Sequence, residues 1–410
     1  MRHHAKFAAL AAVLTAATVG AQTFSMPGSD DPADFALTLY RQVAAASPGK
    51  NVLVSPYSAR EAVGLAYVGA RGETAEGLAA ALRAGRTEDF VESVKRTRTE
   101  LRRADPKTTV EVANSLWLRS DWKFLDSFVA RAKDGFDAQV FRREFGPKAV
   151  AEADAWVSER THGKITKAVD SLDPKKDVAV LLNAVYFKGI WKRPFDKSKT
   201  RDADFHLASG KIVPRPRMAF GPAAKNEDES DKFAYAEDED AQAVRLPYGS
   251  GRIAMTVLLP AKGTTLAALT GKLAGTWWKN LGARLQPREG RVELPRFKFE
   301  STLKLNDPLI QMGAGAAFDK TRSDFRDMAE ARRPEDMLYI SEVQQKAVIE
   351  VDEEGTVAAA KTSVRMHMVG AAMHVPVPPF VFIADRPFLF VIEDIVSGTL
   401  LFVGSVQDPR

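Results

Sequence analysis

Apolar residues recur every three or four positions in some stretches and every second position in others, and the two periods follow one another without regular alternation. Phe35, Leu39 and Val43 predict a helix over 34–45. Residues 52–54 form a short apolar strand, and Ser55 with Pro56 can open a helix because Ser accepts from first-turn amides and Pro suits that turn. That helix carries Ala62, Leu65, Ala66 and Val68 and breaks at Gly69 to Gly72; a third starts at Glu73 with Leu78 and Leu82. Phe90, Val94 and Leu101 predict another helix, 108–118 a strand, 124–136 a helix, and Phe141 the start of a further extended run. The helix over 151–160 ends at Gly163, which can supply a left-handed cap, so His162 reads as a side chain of the capping region. Residues 178–187 are apolar on both faces and predict a central strand, in which the Asn183 amide needs hydrogen-bond partners.

From Phe205 onward the pattern is short strands and turns, at 205–207, 217–220, 233–235, 242–248 and 253–260. A helix over 266–278, a strand over 292–299 and a helix over 307–312 ending at Gly313 follow. Strands and helices mixed without βαβ regularity predict an α+β fold. One stretch, 351–379, does not fit an ordinary element. From Thr356 it has a strict period of two: Thr356, Ala358, Ala360, Thr362, Val364, Met366 and Met368 face one way, Val357, Ala359, Lys361, Ser363, Arg365 and His367 the other. A strand-competent segment with one small, largely apolar face thus runs into an irregular Gly, Ala, His, Val and Pro loop.

Composition narrows the picture. The chain has 410 residues, 45% of them hydrophobic, which is enough for a large core, and no linker divides it. Residues 1–21 read as a secretory leader, with Arg2 and Lys6 before an apolar run over 7–19 too short to span a membrane; residues 22–410 then form a single domain, exported to the periplasm or secreted. Zero cysteines exclude disulfides and thiolate metal sites, a usage that suits an exported bacterial protein. Loss of Arg2 and Lys6 takes the formal charge from +5 to +3, so no whole-surface field is implied, and no nucleic-acid or membrane partner is expected. Lys95, Arg96, Arg98, Arg102 and Arg103 cluster on one helix, with Lys95, Arg98 and Arg102 on one stripe, but Glu92, Glu100 and Asp105 dilute them and a solvated face is the expectation. There is no GxSxG elbow, phosphate loop or HExxH, and after the leader only His162, His206, His367 and His374 remain. No catalysis, cofactor or metal centre is expected, although His367 and His374 could hold a metal weakly.

Several motifs resemble the serpins. Lys346 to Asp352 followed by Glu353, Glu354, Gly355, Thr356, Val357, Ala358, Ala359 and Ala360 is similar to that family's hinge. Residues 386–392 and 398–406 look like its C-terminal hairpin, 55–82 like its segment beneath the main sheet, and 183–195 like its strand with a cross-sheet Asn and a Trp where the loop enters. The resemblance covers nearly the whole chain after the leader. It implies three β-sheets, a large central one among them, eight or nine helices and an exposed reactive-centre loop within 351–379. It further implies that Ser55, Pro56, Ser58, Asn183 and Trp191 control how that sheet parts, and that Arg296 faces Glu353 where the loop leaves. Gln345 stands where serpins usually carry a His, and it cannot titrate.

The activity implied is suicide inhibition of a serine protease by a monomer. The small inward hinge residues Thr356, Ala358, Ala360 and Thr362 favour rapid insertion; the alternative is a non-inhibitory serpin fold serving as a binding or chaperone module. The resemblance implies a scissile bond fourteen residues past the hinge Gly355, between Val369 and Gly370, with Met368 next in preference, which suits an elastase-like or subtilisin-like enzyme of small or medium apolar specificity. The span from Gly355 to Pro387 is about seven residues longer than usual, so the bond could lie as far along as Met373 and His374, and Arg365 would suit a trypsin-like enzyme. The corresponding helix binds sulfated polysaccharide in some serpins, which leaves a polyanion partner weakly supported.

Overall fold

Strand Ala179–Ile190 runs antiparallel to Thr108–Arg119, from Gly189 opposite Thr108 to Ala179 opposite Leu118, and Ala138–Arg143 adds to the far side in parallel. Phe297–Lys304 and Gln344–Val351 form a second antiparallel pair. A two-residue strand, Gly355–Thr356, lies between these halves and makes one six-stranded sheet. This computed structural model describes residues 31–102, 105, 107–175, 177–220, 232–330, 337–356 and 378–410.

The remaining strands form a ten-stranded path that is two sheets sharing Gln286–Pro295. The first half of that strand pairs with Lys232–Glu237, the second with Ile212–Phe220 and, in parallel, with Phe380–Ile383. Three sheets therefore result, and among the described residues eight α-helices of seven residues or more pack around them. The C-terminal hairpin Phe388–Asp394 and Thr399–Val406 is buried along both strands, turning at Gly398 with φ 73°. It closes the core between the sheets with Phe388, Phe390 and Phe402.

Four expectations need correction. The strand over 292–299 is two strands broken at Arg296, whose amide turns to Pro216 O at 2.9 Å and passes the chain from one sheet to another. The helix over 266–278 is two, Leu266–Lys272 and Gly275–Arg284, because Leu273 takes an extended conformation that buries its side chain completely. The extended run at Phe141 begins earlier, at Ala138. Arg98 does not share a solvated stripe with Lys95 and Arg102: it is buried against Glu61 with Nη2 to Oε1 at 3.3 Å, while Lys95 pairs with Glu92 and Arg102 with Asp137. Arg103 lies outside the described residues.

Candidate functional site: a slot in the six-stranded sheet

Val351 pairs with Thr356, and Thr356 in turn with Gly189, so Gln344–Val351 and Ala179–Ile190 run parallel with one strand between them at this end. Two ladder spacings set them about 9.5 Å apart there. Among the described residues this middle strand is only Gly355 and Thr356. Among the described residues Ala179 to Lys188 have a ladder neighbour on one side only, and Val180 to Asn183 are half-buried.

The entrance is held by a compact set of contacts. Asp352 Oδ1 accepts from the amides of Glu354 and Gly355 at 2.9 and 3.1 Å, which folds the chain back on itself after Val351. Gly355 has φ 148°, and a Cβ there would sit 2.0 Å from Gly189 O, so only glycine allows the backbones this close. Trp191 stacks on Tyr248 at 4.2 Å, donates from Nε1 to Asp352 O at 2.9 Å, and donates its amide to Glu354 O at 2.8 Å. Thr356 is buried, its hydroxyl 2.8 Å from Tyr248 Oη. That contact fixes which face of the hinge looks into the core. In the neighbouring strand the same face carries Gln345, Ala347, Ile349 and Val351, all buried.

Glu353 is 1% exposed and is gripped by Arg296 Nε at 2.7 and 2.9 Å and by the Thr200 hydroxyl at 2.5 Å. Burial pushes its carboxyl up, but the bonds from Arg296 and Thr200 outweigh this and hold it below the usual carboxylate range. A depressed carboxyl contributes stability that is present at neutral pH and is lost as pH falls through the folded value. In Arg296→Met the carboxyl keeps its burial and loses its counter-charge. The variant is therefore expected to melt below the wild type at neutral pH, with the gap in Tm narrowing as acid neutralises the buried carboxyl; equal Tm values at neutral pH would show that the pair anchors nothing.

Six residues below Val351 and Gly189 lie Gln345 and Asn183, level with each other across the slot. Both reach the start of helix Pro56–Tyr67. Gln345 Oε1 accepts from the Ser55 amide at 2.8 Å and its Nε2 donates to Ser55 O at 2.9 Å, so a non-titrating amide satisfies both backbone groups at the cap. The Ser55 hydroxyl donates to Leu401 O at 2.8 Å, and Pro56 fills the first turn. Ser58 donates to Asn183 Oδ1, while Asn183 Nδ2 donates to Asn114 Oδ1 at 2.6 Å. Asn114 Nδ2 passes the chain on to Glu61 Oε2 at 2.5 Å, and Glu61 faces Arg98. The structure thus brings together Ser55, Ser58, Asn183 and Gln345 at one level, and Trp191, Arg296, Glu353, Gly355 and Thr356 at the other. Ala358, Ala360, Thr362, Met368, Val369 and Gly370 lie outside the described residues, as do Arg365, His367, Met373 and His374. His162, at φ 51°, places Nε2 3.0 Å from exposed Glu111. Sequence reasoning missed Tyr248, Thr200, Asn114 and Glu61; an amide in a strand beside Asn183, and a carboxylate one turn after Ser58, were the available signals.

A family model described as Serpin (serine protease inhibitor) matches residues 30–409. The chain belongs to the serpin family. This serpin is 36% identical over 369 residues to Iripin-3 of Ixodes ricinus, covering 88% of this chain and 90% of that one. It is 31% identical over 388 residues to the leukocyte elastase inhibitor of Sus scrofa, covering 92% and 97%. The crystal structure of a thermophilic serpin, Tengpin, in the native state superimposes with a TM-score of 0.80 at 28% identity, over 92% of this chain and 93% of that one. The serpin fold, expected from the motifs, is therefore the fold observed.

Proposed function

We propose that this serpin is a suicide inhibitor of serine endopeptidases. The observation that carries the reading is the seating of Gly355–Thr356 between Val351 and Gly189, in the register of a strand about to be added. Continued downward, that register would set Ala358 between Ile349 and Phe187, Ala360 between Ala347 and Val185, and Thr362 between Gln345 and Asn183. Those neighbours are buried or half-buried, and small side chains would pass over them without repacking.

In the reaction, the protease serine attacks the scissile carbonyl, the amine of the following residue leaves, and an ester joins the protease to the loop. The freed segment then enters the slot. Thr356 to Val369 spans about 48 Å when extended, enough to carry the protease to the opposite pole, where distortion of its oxyanion hole strands the ester. Each ladder bond adds roughly 0.5–1.5 kcal/mol, so about a dozen outweigh the local strain of opening the sheet. We place the bond between Val369 and Gly370, then at Met368, and the target among elastase-like or subtilisin-like enzymes; the likeness to a leukocyte elastase inhibitor supports that class. We also place its action outside the cytoplasm of a bacterial source, on the leader at 1–21 and the absence of cysteine.

Residues 22–410 incubated with elastase, chymotrypsin, subtilisin and trypsin should give a covalent band on a denaturing gel with the first or third enzyme, and mass spectrometry should find a released peptide beginning at Gly370. Clean cleavage without that band, and without a rise in Tm afterwards, would instead leave the non-inhibitory binding module.

A further inference from the structure

A cavity of about 780 Å³ lies apart from the entrance of the slot, since none of the hinge residues lines it. Its walls are the C-terminal half of helix Pro32–Ala45, helix Leu266–Lys272, and the segments beside Arg386 and Ser405. The volume lies in the range of sites that enclose a small organic ligand.

The charge on this wall is one-sided. Arg41, Lys50, Arg386 and His206 line it, and no Asp or Glu does. Arg386 is met from beside the cavity by Asp385, Nη1 to Oδ1 at 2.8 Å, and also donates to Pro260 O. Among the described residues Arg41 and Lys50 have no carboxylate partner; the one side-chain bond of Arg41 there is to Thr38 Oγ1 at 3.3 Å. Other cations of the same neighbourhood are paired, Arg83 with Asp34, Lys272 with Asp240 and Lys279 with Asp31. The Nε groups of Arg41 and Arg386 and the Gln407 Oε1 are, moreover, buried without a hydrogen-bond partner among the described residues. Unsatisfied buried polar atoms are uncommon, and three around one cavity mark a place where bonding capacity is left over. The rest of the lining combines an apolar wall, with Val52, Leu207 and Leu266, and hydroxyl-bearing residues such as Tyr40, Thr265, Thr270 and Ser405.

We propose that this cavity binds a small amphipathic organic acid, its acidic group toward Arg41 and Lys50 and its apolar body against Leu207 and Leu266. A guanidinium and an ammonium with no carboxylate partner among the described residues attract an anion, and the apolar wall adds affinity only for a molecule with a hydrophobic body. A free inorganic anion would use half of the site. The inference does not depend on whether the serpin inhibits a protease.

The test is fluorescence titration of residues 22–410 with 1-anilinonaphthalene-8-sulfonate and with its uncharged counterpart, N-phenyl-1-naphthylamine. The sulfonate is expected to saturate one site, to bind at least about tenfold more tightly than the neutral probe, and to weaken as salt screens the cations. Arg41→Gln/Lys50→Gln should lose about tenfold in sulfonate affinity with an unchanged melting curve. Should that pair misfold, Lys50→Gln alone, at an exposed position, should still lose several-fold. Equal affinity for the two probes, unchanged affinity in a folded variant, or no saturation by about 1 mM probe overturns the proposal.

Discussion

On the suicide mechanism proposed above, Thr356→Arg is expected to give a plain substrate in place of an inhibitor. Thr356 is 2% exposed, and its hydroxyl meets Tyr248 Oη, whose ring packs against Phe187 and Trp191. A guanidinium seated there gives up its hydration, and burial of an unpaired charge costs several kcal/mol even after relaxation. The variant should therefore hold residue 356 out of the slot before cleavage, and the proposed insertion must take the guanidinium back in, so the cost falls on the step that must outrun ester hydrolysis. Since about 1.4 kcal/mol is a factor of ten in rate, the ratio of cleaved inhibitor to covalent complex should rise at least tenfold. The rate of loop cleavage should meanwhile stay within about twofold, because the proposed bond after Val369 lies thirteen residues along the chain from Thr356. Titration of a reacting protease against the variant, followed on a denaturing gel, measures both. Thr356→Ser, which keeps the hydroxyl, should behave as the wild type. A wild-type ratio in Thr356→Arg would mean that insertion does not start between Val351 and Gly189.

Much of this arrangement was legible from the chain because its determinants are local. The helix Pro32–Ala45, the strand Val52–Val54 and the Ser55 cap follow from spacing and from two residues whose chemistry suits a helix start. The alternation at Thr356 gave the face of the hinge, and the contact with Tyr248 shows that this face looks inward. Breaks imposed by tertiary structure were not legible. Apolar spacing runs through Leu273 and through Pro295 to Phe299 without interruption, and only the destination of each segment makes one helix two or one strand two. Residues 178–187 predict a central strand, and Ala179–Ile190 is one, yet its stretch from Val180 to Asn183 is only half-buried. Periodicity reports which side chains are apolar; it does not report whether a ladder has a second neighbour. Arg98 failed for a related reason, since a charged residue on a stripe with Lys95 and Arg102 looks solvated until a buried carboxylate from another helix is placed against it.

That carboxylate makes Arg98→Met the substitution with the largest expected loss of stability, roughly 3–5 kcal/mol, because removing one partner of a buried pair leaves the other uncompensated. Glu61 is 1% exposed, and its two oxygens face Arg98 and Asn114. Both terminal nitrogens of Arg98 also donate to Gly135 O at 3.3 Å, so the variant strands a carbonyl together with a charge. The double variant Arg98→Met/Glu61→Gln should recover most of the loss, since a neutral amide can still accept from Asn114 and no longer carries the charge. Urea unfolding of the three proteins tests this; an Arg98→Met midpoint equal to that of the wild type would show the pair to be energetically idle. The consequence should also reach the slot. Asn114 orients Asn183, and Asn183 with Ser58 stands level with Gln345, so loosening Glu61 should raise hydrogen exchange in Ala179–Ile190. The same strand in the double variant should stay protected. Unchanged exchange in Arg98→Met, with stability lost, would confine the effect of the ion pair to the helices.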